Sequence, residues 1–187
     1  MIFRDLCLSG AYLIEIERQE DERGFFARTW CRREFRKQGL ETEYVQASVS
    51  VNPIRGTLRG LHFQCSPYWE VKIVQCVRGT IYDVILDLRP RSPTFRKWLA
   101  VTLSAEARDI LYVPTGFAHG FQTLEDDTEV SYLVSTFYVP AAARGIRYDD
   151  PALSIDWPIE VTRISEKDRG LPGIDDVTAS VATGRTH

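Results

Sequence analysis

The strongest constraint on the fold is a succession of short β-rich segments, each ended by a turn signal. Asn52-Pro53 ends one such segment, and Arg78-Gly79 lies between two others as a two-residue hairpin signal. The predicted strands are Ala11–Glu17, Gly24–Trp30, Val45–Val51, Leu58–Gln64, Glu70–Val77, Thr80–Leu88, Trp98–Leu103, Ile110–Val113, Phe117–Thr123 and Glu129–Tyr138. Only Arg32–Gln38, followed by Gly39, is a convincing short helix. This pattern indicates an all-β sandwich or barrel with a few short helices.

Length and composition limit the number of domains and the kinds of protein that this chain can be. A chain of 187 residues fits a single domain, which we place at residues 1–177, and the small polar residues of 178–187 predict a disordered tail. The net charge of −3 argues against a nucleic-acid-binding protein. No apolar run is long enough to span a bilayer, so no membrane association is predicted. The start of the chain does not resemble a signal peptide, and cysteines without zinc spacing indicate a reducing, cytoplasmic location.

Two histidines inside strand-like segments are the first candidates for chemistry. His62 follows Arg59 in one segment, and His119 lies in the glycine-flanked segment Pro114–Phe121. Together they suggest a base and a ligand-binding group in a pocket, although a single buried histidine is more often bonded to backbone. A metal site built on histidine needs a cluster of such ligands, and neither histidine has another two residues away. No metal is therefore predicted.

The two-residue repeat of a strand places further polar side chains. Lys72 shares a face with Val74 and Cys76, so it lies either at a rim or opposite an anion in a pocket. On Leu58–Gln64, the same rule places His62 on one face and Arg59 on the other. Tyr132 taken singly is more often a core aromatic with a satisfied hydroxyl. Periodicity alone leaves these possibilities open.

The motifs as a set carry a family resemblance. In order they are Asp21–Phe26, Arg59–Gln64, Tyr82–Val84, Ser92–Phe95, Leu103–Glu106, Val113–Phe121, Asp150–Pro158 and Ser165–Asp168. The chain resembles the dTDP-4-dehydrorhamnose 3,5-epimerases, which are cupin-like sugar-nucleotide epimerases. The resemblance implies a cupin-type jelly-roll β-barrel, a homodimer, a nucleotide-diphosphate sugar as substrate and no cofactor.

The resemblance also implies roles for individual residues. His62 matches the base that removes the proton beside the C4 ketone, and Asp168 matches the carboxylate that orients it. Tyr132 matches the acid on the opposite face, and Lys72 matches the cation near the enolate oxygen. The candidate substrate- and nucleotide-binding residues are Arg23, Phe26, Arg28, Gln46, Ser48, Arg59, His119, Tyr138 and Lys167. Of these, Arg23 and Phe26 are expected to come from a neighbouring subunit.

The predicted activity is inversion of C3 and C5 in a nucleotide-linked 4-keto-6-deoxyhexose. Arg28 replaces a family glutamate, Ala47-Ser48 replaces the usual Asp-Asn, and Trp69-Glu70 replaces a glutamine before the lysine region. Because arginine donates hydrogen bonds where a carboxylate accepts them, Arg28 raises the hypothesis of a CDP- or other NDP-linked sugar. Epimerisation at C3 alone is also compatible with these residues, as is a non-catalytic sugar-binding cupin.

Overall fold

The computed structural model of the chain describes the backbone of residues 1–183 and the side chains of residues 1–179. Its strands are β1 (Ile2–Asp5), β2 (Tyr12–Glu15), β3 (Gln19–Asp21), β4 (Gly24–Phe26), β5 (Gln46–Asn52), β6 (Leu58–Gln64), β7 (Lys72–Arg78), β8 (Thr80–Asp87), β9 (Trp98–Ser104), β10 (Ile110–Val113), β11 (Phe117–Thr123), β12 (Thr128–Val134) and β13 (Ala143–Gly145). The α-helices are α1 (Arg32–Lys37), α2 (Glu166–Arg169) and α3 (Ile174–Thr183), and Pro140–Ala142 forms a 3-10 turn.

The strands form two large antiparallel sheets and one small hairpin. The six-stranded sheet has the order β1-β2-β10-β7-β12-β5, and the five-stranded sheet has the order β13-β6-β11-β8-β9. Strands β3 and β4 pair only with each other among the residues described. Apart from β1–β2 and β8–β9, neighbouring strands come from distant parts of the chain, as in a sheet pair built from Greek keys. The predicted all-β architecture with short helices is confirmed.

The hairpin predicted at Arg78-Gly79 is wrong. Strand β7 pairs with β10 and β12, whereas β8 pairs with β9 and β11 in the other sheet. Gly79 has φ of +75°, and a Cβ there would lie 2.5 Å from the Thr128 hydroxyl oxygen. The glycine therefore turns the chain sharply from one sheet to the other instead of joining two paired strands.

Alternating side chains divide the core into three layers. Residues between the two sheets include Val74, Leu111 and Ile85. Their sequence neighbours face away from the space between the sheets. Ile73 and Ile110 pack against α1 on the outer face of the six-stranded sheet. Alternate residues of β8 pack on the outer face of the five-stranded sheet, under the C-terminal segment. Both sheets are thus covered on their outer faces, which leaves the interior between them as the place for a cavity.

The C-terminal boundary differs in detail from the predicted one. Helix α3 begins at Ile174 and continues through Thr183, so the predicted boundary at residue 178 falls inside this helix. Ile174 is fully buried against the outer face of the five-stranded sheet. The rest of the predicted tail, residues 184–187, lies outside the described residues. Among the described helices, none has the length and apolar character required to cross a membrane.

Candidate active site

A cavity of about 480 Å³ opens between the two sheets. The six-stranded sheet contributes β5, β7 and β12 to its wall, and the five-stranded sheet contributes β6 and β11. The lining residues are Gln46, Ser48, Ser50, Arg59, His62, Phe63, Gln64, Glu70, Lys72, His119, Phe121, Tyr132, Val134, Tyr138, Ala143, Arg144, Lys167 and Leu171. The structure thus gathers most of the predicted site residues around one space, within the volume range of small-ligand sites.

A bulge in β6 corrects the predicted orientation of Arg59. Between β6 and β11 the register runs from His119 opposite His62 to Phe121 opposite Arg59, so β6 contains one extra residue there. This β-bulge interrupts the two-residue repeat, and Arg59 and His62 both line the cavity. Gly60 lies at the irregularity, where an added Cβ would meet the Gly120 Cα at 2.5 Å. Only glycine permits this close approach of the two strands.

His62 is joined to Asp168, as the family resemblance implied. The ring Nε2 lies 2.7 Å from Asp168 Oδ1, and the Gly60 amide donates to Asp168 Oδ2 at 3.2 Å. Ser165 caps α2 by accepting a hydrogen bond from the Asp168 amide. The carboxylate is therefore held by two hydrogen bonds on a capped helix, behind a ring whose side chain remains 42 % exposed.

The environment of Asp168 keeps this carboxyl ionised. Burial alone raises the pKa of Asp168, but hydrogen bonds from His62, Gly60 and Ser165 oppose that effect and hold the net pKa below the usual aspartate range. Because Nε2 bonds to the carboxylate, a neutral His62 with its proton on Nε2 has a free lone pair on Nδ1. Such a ring is suited to accept a proton from a ligand.

Tyr132 approaches the cavity from the opposite sheet. It lies on β12, across from Val74 of β7, and packs against the core between the sheets. Burial raises the pKa of its hydroxyl well above the usual range, and the nearby Asp83 adds to this rise while Arg59 opposes it. The hydroxyl therefore stays protonated at neutral pH and can act as a proton donor.

Lys72 lies inside the cavity and not at an exposed rim. Its side chain is 12 % exposed, and its Nζ lies 2.9 Å from Glu70 Oε1. The same ammonium donates to the His62 carbonyl oxygen at 3.4 Å. Glu70 was missed as a site residue, although an acid two residues before Lys72 on an extended segment was a usable signal because alternate side chains share a face.

His119 belongs to a second histidine–carboxylate pair. Its Nε2 lies 2.5 Å from Asp83 Oδ1 on the adjacent strand β8, and its ring contacts Tyr132 edge-on at 6.0 Å. The other Asp83 oxygen is buried without a hydrogen-bond partner among the described residues. Asp83 was not predicted as a site residue. Its signal was an acid within the otherwise apolar segment Tyr82–Leu86.

The remaining candidates that line the cavity contribute polar groups to its wall. Arg59 is held by a 2.7 Å hydrogen bond from its Nε to Asn52 Oδ1. The backbone amide of Tyr138 donates to Gln46 Oε1 at 2.6 Å. Ser48 and Lys167 also line the cavity. Three cationic side chains, Arg59, Arg144 and Lys167, thus accompany Lys72, which suits an anionic ligand.

Three predicted binding residues do not reach this cavity within one chain. Arg23 lies at the turn of the β3–β4 hairpin and pairs with Asp21, and Phe26 is 71 % exposed at its end. Arg28 donates to Glu34 at 2.9 Å and, with Phe26, lines a separate small cavity of about 160 Å³ beside the N-terminus. The guanidinium of Arg28 is therefore already paired with a carboxylate of the same chain.

No metal centre is visible in the described part of the chain, where no three histidine, cysteine, aspartate or glutamate side chains group closely enough to hold an ion. His62 and His119 each face a carboxylate through Nε2. The four cysteines are free thiols. The absence of a cofactor remains a prediction.

Comparison with known proteins identifies close relatives over most of the chain. A family profile described as dTDP-4-dehydrorhamnose 3,5-epimerase matches residues 5–176. The dTDP-4-dehydrorhamnose 3,5-epimerase of Sinorhizobium fredii is 41% identical over 181 residues, which cover 96% of this chain and 93% of that protein. The enzyme of the same description from Bacillus anthracis, crystallised with TDP and PPi bound, shares 40% identity and superimposes with a TM-score of 0.90 over 92% of this chain and 99% of that one.

The structural likeness extends to an enzyme that acts at one centre. A 3'-monoepimerase from Streptomyces bikiniensis in complex with dTDP-quinovose has 32% identity and a TM-score of 0.86, covering 96% of this chain and 89% of that chain. These superpositions confirm the predicted cupin-type jelly roll. They also indicate that one scaffold serves both one-centre and two-centre inversion.

Proposed function

Because the chain belongs to the dTDP-4-dehydrorhamnose 3,5-epimerase family, we propose that it inverts C3 and C5 of dTDP-4-keto-6-deoxyglucose to form dTDP-4-dehydrorhamnose. The observation that carries this proposal is the placement of His62 and Tyr132 on opposite sheets, facing one cavity. Epimerisation requires removal of a proton from one face of a carbon and its return on the other face. A base and an acid on opposite walls meet that requirement.

The proton is removed by His62. Its Nε2 is tied to Asp168, so Nδ1 takes the proton from the carbon beside the C4 ketone. The ionised Asp168 then stabilises the imidazolium that forms, in the manner of an orienting carboxylate in a catalytic triad. A positioned base of this kind typically contributes roughly 10²–10⁴-fold to the rate.

Loss of the proton leaves negative charge on the C4 oxygen, and Lys72 is the cation placed to receive it. Its ammonium lies within the cavity lining, where a low-dielectric surrounding strengthens charge interactions. Tyr132, whose raised pKa keeps the hydroxyl protonated, returns a proton to the carbon from the other sheet. No electron is gained or lost in this sequence, so the chemistry needs no redox cofactor.

The diphosphate is assigned to the cationic side of the cavity. Arg59 presents a guanidinium fixed by Asn52, and Arg144 and Lys167 line the same space. Guanidinium groups match the oxygen geometry of phosphate. His119, Gln46, Ser48 and Tyr138 complete the polar surface that holds the nucleotide.

A homodimer completes the site in this proposal. Strand β5 is the last strand of its sheet, and Val49 and Val51 on it are 63% and 54% exposed. The projecting β3–β4 hairpin carries Arg23 and the exposed Phe26. An unpaired sheet edge with apolar side chains favours pairing with a second copy, which brings the hairpin of one subunit to the cavity of the other. Light scattering that finds a stable monomer at micromolar concentration would contradict this shared site.

Thymidine is the proposed nucleotide, with the base read by groups other than Arg28. The pairing of Arg28 with Glu34 supports this assignment, because the guanidinium is already satisfied within the chain. Calorimetric titration with TDP, CDP, UDP and GDP tests it, with Arg28→Glu as the matched variant. We expect TDP to bind most tightly to both proteins. Preferred binding of CDP by the wild type alone would restore the hypothesis of a switched base.

The number of inverted centres is tested by NMR in heavy water with dTDP-4-keto-6-deoxyglucose. Two-centre inversion predicts deuterium at C3 and C5, whereas deuterium at C3 alone identifies a 3-epimerase. The Tyr132→Phe variant is expected to retain exchange and lose inversion, because the base remains while the acid on the opposite face is removed. A protein that binds TDP and exchanges neither hydrogen would indicate a non-catalytic cupin.

A further inference from the structure

The Lys72 ammonium is held by two protein acceptors. An ammonium has three N–H donors, and the structure directs two of them to Glu70 Oε1 at 2.9 Å and the His62 carbonyl at 3.4 Å. The ammonium lines the cavity, so its third donor is available to a ligand there. Two anchors restrict a side chain that otherwise has many rotamers, and they aim the remaining donor in one direction.

Glu70 is itself fixed by a buried amide. Gln64 Nε2 donates to Glu70 Oε2 at 2.8 Å, and Gln64 Oε1 accepts from the Val139 amide at 2.6 Å. The same Nε2 lies 3.2 Å from the Phe137 carbonyl oxygen. Gln64 is 2 % exposed. Glu70 therefore connects Lys72 to β6 and to the segment that presents Tyr138, and both of its oxygens are occupied.

We propose that Glu70 is the positioning residue for Lys72, an inference that rests on the proposed role of Lys72 at the C4 oxygen. Each of its two oxygens already accepts a hydrogen bond from a protein donor, and these bonds direct the carboxylate to Lys72 and Gln64. Its negative charge also offsets the charge of Lys72 in the resting cavity. The pair is thereby suited to a neutral ketone that becomes an enolate, while the diphosphate is drawn to Arg59, Arg144 and Lys167.

Glu70 belongs to the Trp69-Glu70 pair, which stands where the family resemblance implies a glutamine before the lysine region. A neutral glutamine has one acceptor oxygen in place of two, so it cannot present a separate oxygen to Lys72 and to Gln64. A glutamate offers two oxygens and serves both partners, as seen here. Glu70→Gln is therefore the conservative variant that retains an acceptor for Lys72, and Glu70→Ala is the variant that removes it.

The test measures kcat and KM for dTDP-4-keto-6-deoxyglucose in Glu70→Ala and Glu70→Gln. We expect Glu70→Ala to lower kcat by about 10- to 100-fold, because small misplacements of a reacting group have effects of this size. KM and the TDP dissociation constant should change by less than about threefold, since ground-state binding is retained. Glu70→Gln should recover part of the lost kcat, because it restores an acceptor for Lys72 but not the negative charge. Glu41→Gln is the control, because it replaces a half-buried carboxylate that accepts hydrogen bonds from the nearby Thr42 and Glu43 backbone amides.

A double-mutant cycle with Lys72→Met separates this inference from the proposed function. If Glu70 acts through Lys72, adding Glu70→Ala to Lys72→Met causes no further loss of kcat. Full activity in Glu70→Ala, or an equal loss in both backgrounds, overturns the positioning role while the role of Lys72 stands. Full activity in Lys72→Met overturns both. Rates are normalised to TDP-binding sites, so a partly unfolded preparation does not imitate a catalytic defect.

Discussion

Two histidine–carboxylate pairs lie side by side in this protein, and they differ in what their rings face. His62 and His119 are opposite each other on β6 and β11, and each bonds a carboxylate through Nε2. The His62 side chain is 42% exposed towards the cavity, whereas that of His119 is 6% exposed. The bond to a carboxylate orients both rings, but only His62 has a broad free surface for a reacting carbon.

The carboxylates differ as well. Asp168 comes from α2, 106 residues along the chain from His62, and two backbone or side-chain donors besides the histidine support it. Asp83 comes from the strand beside His119 and retains a buried oxygen without a partner in the described chain. The first pair is built to hold an ionised carboxylate behind a reactive ring. The second fits a role in holding the ligand and shaping the wall beside Tyr132.

The largest expected difference between the pairs is in hydrogen exchange. His62→Ala should lower exchange at the carbon beside the ketone by roughly 10²–10⁴-fold or more, because the base is removed. His119→Ala should retain exchange and raise KM, because it removes a binding group. NMR in heavy water measures exchange for both variants under identical conditions. Equal losses of hydrogen exchange in the two variants would contradict the distinction between the two pairs. A wild-type exchange rate in His62→Ala would show that the base is misassigned.

The carboxylates should differ in the same direction, with a smaller effect. Asp168→Asn removes the charge that stabilises the imidazolium, and we expect kcat to fall by about 10²-fold with little change in TDP binding. Asp83→Asn should affect KM more than kcat, since its histidine contacts the bound ligand in our proposal. Steady-state kinetics of the two variants, with TDP titration as the control, check this. A greater kcat loss in Asp83→Asn would reverse our assignment of the two pairs.

The smallest expected effect is on stability in acid. The folded-state pKa of Asp168 is lowered, so its interactions stabilise the fold fully above the unfolded-state pKa of about 3.9 and are lost as pH falls through the folded value. In Asp168→Asn, the free energy of unfolding should therefore fall less steeply as the pH is lowered. Urea unfolding at pH 7 and across the acid range below pH 5 measures it. An unchanged acid decline in this variant would mean that the carboxylate contributes nothing to the pH dependence.

Much of the fold could be predicted because strand patterns are local. Predicted Thr80–Leu88, Ile110–Val113 and Phe117–Thr123 agree with β8, β10 and β11 within one residue at either end. The short strands β1, β3 and β13 were not predicted. Unlike the apolar run Ile110–Val113 of β10, they contain polar residues and are too short to establish a period. The predicted strand Glu129–Tyr138 ends early, at Val134, where Ser135 turns to bond with Val71.

In the candidate site, the residues of the family motifs could be predicted from the sequence, but their hydrogen-bond partners could not all be. The family motifs identified His62, Lys72, Tyr132 and Asp168, and the structure brings three of them to the cavity wall with Asp168 directly behind His62. Their catalytic roles remain proposals. Asp83 and Glu70 were not predicted as site residues, although both lie in segments compared with the family, because a strand pattern describes a face and does not name the partner of a polar group on it.

The sequence by itself determined the all-β class, the one clear helix α1 and the set of polar residues available for chemistry, because these follow from local periodicity and residue type. Only the tertiary structure decided that β7 and β8 enter different sheets, that the β6 bulge turns Arg59 towards His62, and that Glu70 holds Lys72. The physical reason is that strand pairing and buried hydrogen bonds join residues far apart in the chain. Such contacts are selected by packing of the whole domain, and no local pattern encodes them.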